Sequence, residues 1–202
     1  QIRRFLKNTR GFEMMNESEG RIDLICLISA SEMPLIASIN RMYSLLTSVT
    51  RDIISISDGA EKELLGDVDE REAEVDALLY LVERQVSVAL DSHLVASALK
   101  LARNQAVEHS NLATSLERMM DHANHMAHLV QESDFNLDSE KTPILQISAW
   151  QKAIKNLMIN IRTRNSFEIE ESRQLLKQAQ LEIVQYEDCL LYTSPSPRDV
   201  LR

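Results

Sequence analysis

The chain has 202 residues, 31 acidic against 22 basic side chains and a net charge of -9 at pH 7, which disfavours broad phosphate-backbone contact and argues against direct nucleic-acid binding by this chain. Four glycines and four prolines amid abundant Ala, Leu, Glu, Gln, Met, Lys and Arg are an all-α composition. The most apolar early stretch, residues 22–39, is broken by Asp23, Ser29, Ser31, Glu32 and Pro34, and no run reaches the ~18 apolar residues that membrane insertion requires. Cys26 and Cys189 lie far apart without CxxC or zinc spacing, so the expectation is a reducing, cytoplasmic compartment and no disulfide.

Residues 1–30 read as a short helix and a β-hairpin. Residues 2–8 place Ile2, Phe5 and Leu6 on one side and Arg3, Arg4 and Lys7 on the other, and Gly11 ends the pattern. Candidate strands 12–16 and 21–27 follow, joined by Glu17, Ser18, Glu19 and Gly20. The chain opens on Gln1 rather than Met, so the expectation is a fragment or processed product.

A long helix begins at Ser31, a plausible N-cap, with Glu32 in its first turn and Pro34 where a missing N–H does little harm. Leu35, Ile39, Met42, Leu46, Val49, Ile53 and Ile56 recur in steps of four and three, and the helix stops at Gly59 or Leu65. Gly66 and Asp67 open a second helix, with Val68, Val75, Leu79, Val82 and Val86 as its apolar stripe. Glu72 interrupts that stripe, so its carboxylate is expected to be half-buried, and Asp76 follows one turn on. Asp91 and Ser92 mark a turn, and residues 93–131 form a third helix with a kink or break within 100–105.

Residues 115–128, SLERMMDHANHMAH, carry the densest chemistry. Glu117, Asp121, Asn124 and His128 fall at i, i+4, i+7 and i+11, a single stripe of oxygen and nitrogen donors. Leu112, Leu116, Met119, Ala123, Met126 and Val130 lie ~150° away and are expected to face the core. Like charges at i, i+4 cost about 0.2–0.5 kcal/mol in an isolated helix, which either a bound cation or plain solvation must offset. Glu72 and Asp76 repeat the same ExxxD spacing on the preceding helix. Three helices with short connections pack as an antiparallel up-down bundle, in which the second and third are neighbours and their carboxylate pairs converge. Carboxylates alone favour Mg, Mn or Fe, and an added imidazole from His128 shifts the preference towards Fe or Zn. His122 and His125 point progressively away from the stripe and read as surface residues.

Residues 133–142 form a polar linker containing Asp134, Asp138 and Glu140. Pro143 opens a helix with Ile147, Trp150, Ile154, Leu157 and Ile161 on one face. Asn165 and Ser166 interrupt it, and 167–188 form a further helix through Leu176, Ala179 and Ile183. Helical periodicity stops near Cys189, and 192–199, YTSPSPRD, resembles translated adapter read-through; residues 191–202 are expected to be a non-native or disordered tail. The fold expected is thus all-α: one antiparallel three-helix bundle over 31–133, an incomplete second bundle over 140–190, and the N-terminal helix and hairpin.

The run ERMMDHA, residues 117–123, resembles the ERxxDHA signature of the PhoU family of phosphate-uptake regulators. Residues 69–85, DEREAEVDALLYLVERQ, resemble that family's other metal-motif helix, especially in archaeal members, and the Met42-Tyr43 region also fits. The resemblance covers residues 2–132 well and 142–188 weakly. It implies tandem three-helix bundles whose E(D)xxxD motifs hold a metal ion or cluster, more often Fe or Zn than Mg or Mn, on the bundle surface. Carried across, it implicates Glu72, Asp76, Glu117 and Asp121. It also implies a signalling adaptor acting on a phosphate ABC transporter, a sensor kinase or transcription, and self-association into a homo-oligomer such as a dimer. In archaeal members the segment like 2–27 follows an AbrB-like DNA-binding domain. His125 and His128 stand where the family more often has Asn and Glu, which bears on the ligand set. In the second repeat Glu168 leads to Ser172 and Glu171 to Leu175, so neither completes an ExxxD pair and a second metal site is not expected there.

Two other classes compete with this reading. One is a metal-free helical scaffold or interaction protein. The other is a di-metal carboxylate enzyme, disfavoured because such bundle sites use Glu-x-x-His pairs and no glutamate here has a histidine three residues later. No nucleophile grouping, Gly-rich phosphate loop or zinc-hydrolase motif occurs, so no catalysis is expected. Trp150 and the methionines Met14, Met15, Met119, Met120 and Met126 read as packing residues. The incomplete second repeat is expected to leave apolar faces exposed.

Overall fold

The computed structural model describes residues 12–18, 21–26, 35–91, 93–98, 102–132 and 138–193. The expected helix at 2–8, the caps at Ser31 and Pro34, the linker at 133–137 and residues 194–202 lie outside them. The elements in order are β1 (Phe12–Ser18), β2 (Arg21–Cys26), α1 (Leu35–Ser57), a 3-10 turn (Lys62–Leu65), α2 (Val68–Asp91), α3 (His93–Ala98), α4 (Arg103–Glu132), α5 (Ile144–Thr163) and α6 (Ser166–Thr193). Helix dominates, with one two-stranded sheet. In that sheet β1 and β2 pair antiparallel from Phe12 opposite Cys26 to Ser18 opposite Arg21, with a register shift between Met14 and Asn16. Glu17 and Ser18, expected in the turn, are instead paired strand residues.

The described residues divide into two compact units, one reaching Val49 and resuming over Leu65–Gln131, the other comprising Thr50–Leu64 and the chain from Glu132 onward. Helix α1 is divided between them: its residues from Thr50 count with the second unit.

In the first unit the apolar stripe of α1 is buried at Leu35, Ile39, Met42, Leu46 and Val49. Helix α2 buries Val68, Val75, Val82 and Val86, whereas Leu79 is half-buried. Pairing of Arg41 with Glu74 and of Ser48 with Arg71 runs α2 antiparallel to α1. Asp69 meets His128, and Gln131 Nε2 donates to the Leu65 carbonyl at 3.0 Å, which sets α4 antiparallel to α2.

Helix α4 departs from expectation in its rotation. The buried line is Ala106, Ala113, Leu116, Met120, Ala123, Ala127 and Val130, while Leu112, Met119 and Met126 are only half-buried. Alanine gives a weak hydropathy signal but offers the smallest side chain for close approach of two helices, so the true contact line was hidden behind its larger neighbours. At ~100° per residue the core centre moves ~50° towards the polar stripe and leaves it ~100° from the core. The stripe therefore sits at the edge of a helix contact. Helix α4 opens on half of a capping box, the Ala102 backbone N–H donating to Gln105 Oε1 at 3.2 Å.

In the second unit α1 ends in a Schellman motif, with the Ala60 N–H bonded to the Ser55 carbonyl and the Gly59 N–H to Ile56, both at 3.0 Å. Gly59 has φ +96, the left-handed region that glycine enters without a Cβ penalty. Helices α5 and α6 form an antiparallel hairpin around buried Asn160. The Asn160 side-chain amide donates to the Asn156 carbonyl and to Glu168, while its Oδ1 accepts from Thr163 and from the Asn165 backbone. Of the five residues expected on the α5 core face only Ile154 is fully buried; Ile147, Trp150, Leu157 and Ile161 are half-buried. Ala179 on α6 is buried, and α6 continues to Thr193, past the expected stop near Cys189. Leu145, Ile159, Phe167, Leu181, Val184 and Leu190 are exposed.

Candidate metal centre

Helix α2 keeps two kinds of charge on two sides. Towards α1 the charges are balanced: Arg41 grips Glu74 through two bonds of 2.8 and 3.0 Å, and Arg71 pairs with Asp67 at 2.6 Å and donates to Ser48 at 3.1 Å. Towards α4 lie Asp69, Glu72 and Asp76, each one turn from the next. Because α4 runs antiparallel, its own acids arrive in reverse order, Asp121 beside Glu72 and Asp76, and Glu117 further along the seam. One oxygen from each of Glu72, Asp76 and Asp121 lies within 4.8 Å of the others. Glu72 and Asp76 are half-buried and Asp121 is exposed, so the cluster is open to solvent on the α4 side.

Electrostatics identify the cluster as charge without compensation. Burial pushes the Glu72 carboxyl above its ordinary value, and Asp76, Asp121, Asp69 and Glu117 each push it further. Asp76 is raised by burial and then by Asp121. Glu117 is raised by burial, Asp121 and Asp76, against a small opposing pull from Arg118, so it shares the field without entering the tightest group.

His128 stands elsewhere. Its Nε2 is 2.8 Å from Asp69 Oδ1, one turn beyond the carboxylate group. The bonds from His128 and Asn124 hold the Asp69 carboxyl below its ordinary range despite some desolvation. Asn124 Oδ1 is buried with no hydrogen-bond partner among the described residues. The structure thus brings together Glu72, Asp76 and Asp121, sets Glu117 beside them, and places His128 on a carboxylate. Asp69, which sequence reasoning did not single out, carries the nearest signal of all: it precedes Glu72 by three residues, on the same helical line.

The donor set suits a cation. Three carboxylates within reach of one another, two of them raised by burial and by their acidic neighbours, gain what they lack from a positive ion, and such oxygens suit hard or borderline metals. The zinc preference rested on an imidazole that here faces Asp69.

Antiparallel helices that meet along an acidic seam define the class, a helical-bundle protein. Residues 39–130, somewhat under half of the chain, match the family model of the PhoU domain. That stretch is similar to the PhoU domain, and the match spans all of Glu72, Asp76, Glu117, Asp121 and His128. Such a domain suggests a regulator of phosphate homeostasis. No curated protein and no solved structure matches the chain. Among the described residues no helix is long and apolar enough to cross a membrane.

Proposed function

We propose that the chain is a cation-binding regulator of phosphate uptake, an adaptor that carries phosphate status to a phosphate ABC transporter or a sensor kinase. The observation that carries the cation half is the approach of Glu72, Asp76 and Asp121 to within 4.8 Å inside a PhoU domain. Glu117 completes the donor set from the same face of α4. The all-oxygen set favours iron over zinc, with Mn as a further occupant. The adaptor half rests on the likeness to the PhoU domain, and the exposed apolar residues of α5 and α6 are available for a partner or a second copy. The archaeal character and a preceding AbrB-like domain belong to the same reading.

Elemental analysis of the purified chain, repeated on Glu72→Ala and Asp121→Ala, tests the cation half. The expected result is a metal content near one ion or cluster per chain that both variants lose. Equal metal content in all three would sink it and leave the metal-free scaffold. For the adaptor half, deletion of the gene is expected to uncouple phosphate uptake from external phosphate, and unchanged uptake would remove it.

A further inference from the structure

The seam between α2 and α4 has a repulsive part and an attractive part, and they are adjacent. Glu72, Asp76, Glu117 and Asp121 push the two helices apart. One turn away, towards the start of α2 and the end of α4, Asp69 accepts a 2.8 Å bond from His128, and the next turn adds the Gln131 bond to the Leu65 carbonyl at 3.0 Å. An ionised carboxylate only accepts, so the proton of this bond sits on His128 Nε2. The same argument orients Asn124: its amide group turns to Asp69, and its buried Oδ1 is left without a hydrogen bond. The geometry points to Asp69, His128 and Asn124 as a clip that fixes the spacing of α2 and α4 at the cation site, with His128 a positioning residue and not a ligand. The inference rests on the cation reading proposed above. It assigns to His128 a task that its place on the acidic stripe of α4 does not reveal.

Residues that orient a metal site without touching the ion, when lost, weaken metal affinity by about 10- to 100-fold while leaving the ligands in place. The test is Mn(II) titration of the full chain, followed by calorimetry and by the loss of the free-ion spin-resonance signal, on wild type, His128→Ala, His128→Gln and Asp69→Asn. The clip predicts that His128→Ala and Asp69→Asn keep the wild-type number of ions per chain but bind them about tenfold or more weakly. It also predicts that His128→Gln, whose amide can still donate to Asp69, recovers most of the affinity. Unchanged affinity in His128→Ala overturns the clip, and a lower ion count in that variant overturns it by making His128 a ligand. Absence of Mn(II) uptake by the wild type instead refutes the underlying cation reading. Circular dichroism of each variant checks folding; if His128→Ala fails to fold, the Asp69→Asn and His128→Gln pair decides the matter by the same criteria.

Discussion

Glu72 on α2 and Asp121 on α4, 49 positions apart in the chain, present carboxylate oxygens within 4.8 Å of each other across an antiparallel seam. Each is a burden to the other while no cation lies between them. Asp121→Asn is therefore expected to stabilise the chelator-treated protein, by about 0.5 kcal/mol on the scale of helical like-charge pairs. Urea unfolding midpoints with and without saturating Mn(II) check this. The wild type should gain from the ion and the variant should not, since a ligand that binds only the native state raises stability.

The same repulsion fixes the sign of a pH dependence. Glu72, Asp76 and Glu117 have folded-state values raised above their ordinary 4.5, 3.8 and 4.5, so the folded chain holds protons there more tightly than the unfolded chain. Stability from this trio is present below the ordinary values and is lost as pH rises through the raised ones. Asp69, Asp138 and Glu182, held below their ordinary values, act in the opposite sense and lose their contribution as pH falls. In chelator, a Glu72→Gln, Asp76→Asn, Glu117→Gln variant should gain on the wild type as pH rises above those ordinary values. Parallel profiles would refute the electrostatic account.

Neighbouring methionines on α4 separate the observed rotation from the expected one. Met120 is fully enclosed and Met119 half-buried. Met120→Ala should cost about 2–5 kcal/mol, the range for emptied core sites. Met119→Ala should cost about 1 kcal/mol or less. Denaturant unfolding of the two single variants ranks them, and the reverse order would restore the face drawn through Met119 and Met126.

Asn160 supports the turn between α5 and α6 with its one side chain. Asn160→Leu should strip Glu168 and the Asn165 N–H of a partner and cost about 1–3 kcal/mol. Amide exchange of α6 should quicken in step. No change in exchange would mean that helix packing alone holds the hairpin.

Where the sequence spoke clearly, it spoke through large apolar side chains at regular steps. The α1 stripe from Leu35 to Ile53 is buried at every position named, and Glu72 is half-buried as its interruption of a valine stripe required. The α4 face was drawn one position aside because leucine and methionine outweigh alanine in any hydropathy reading. Buried Gln85, Asn160 and Ser172 leave no periodic trace, since their burial depends on partners that only the folded chain supplies. His128 illustrates the same limit. Its place on the acidic stripe of α4 follows from helical spacing, but its engagement with Asp69 follows from how α2 and α4 are registered.

Four alanines, Ala106, Ala113, Ala123 and Ala127, are sealed along α4. Interaxial distance follows the bulk of the side chains at a contact, so a line of buried methyl groups lets α4 pack closer to its neighbours than a line of leucines would. The fit of the helix that carries Asp121 and Glu117 thus depends on residues with no charge and no donor atom of their own. A single thickening there, Ala123→Leu for instance, would detune the centre without altering any of its oxygens.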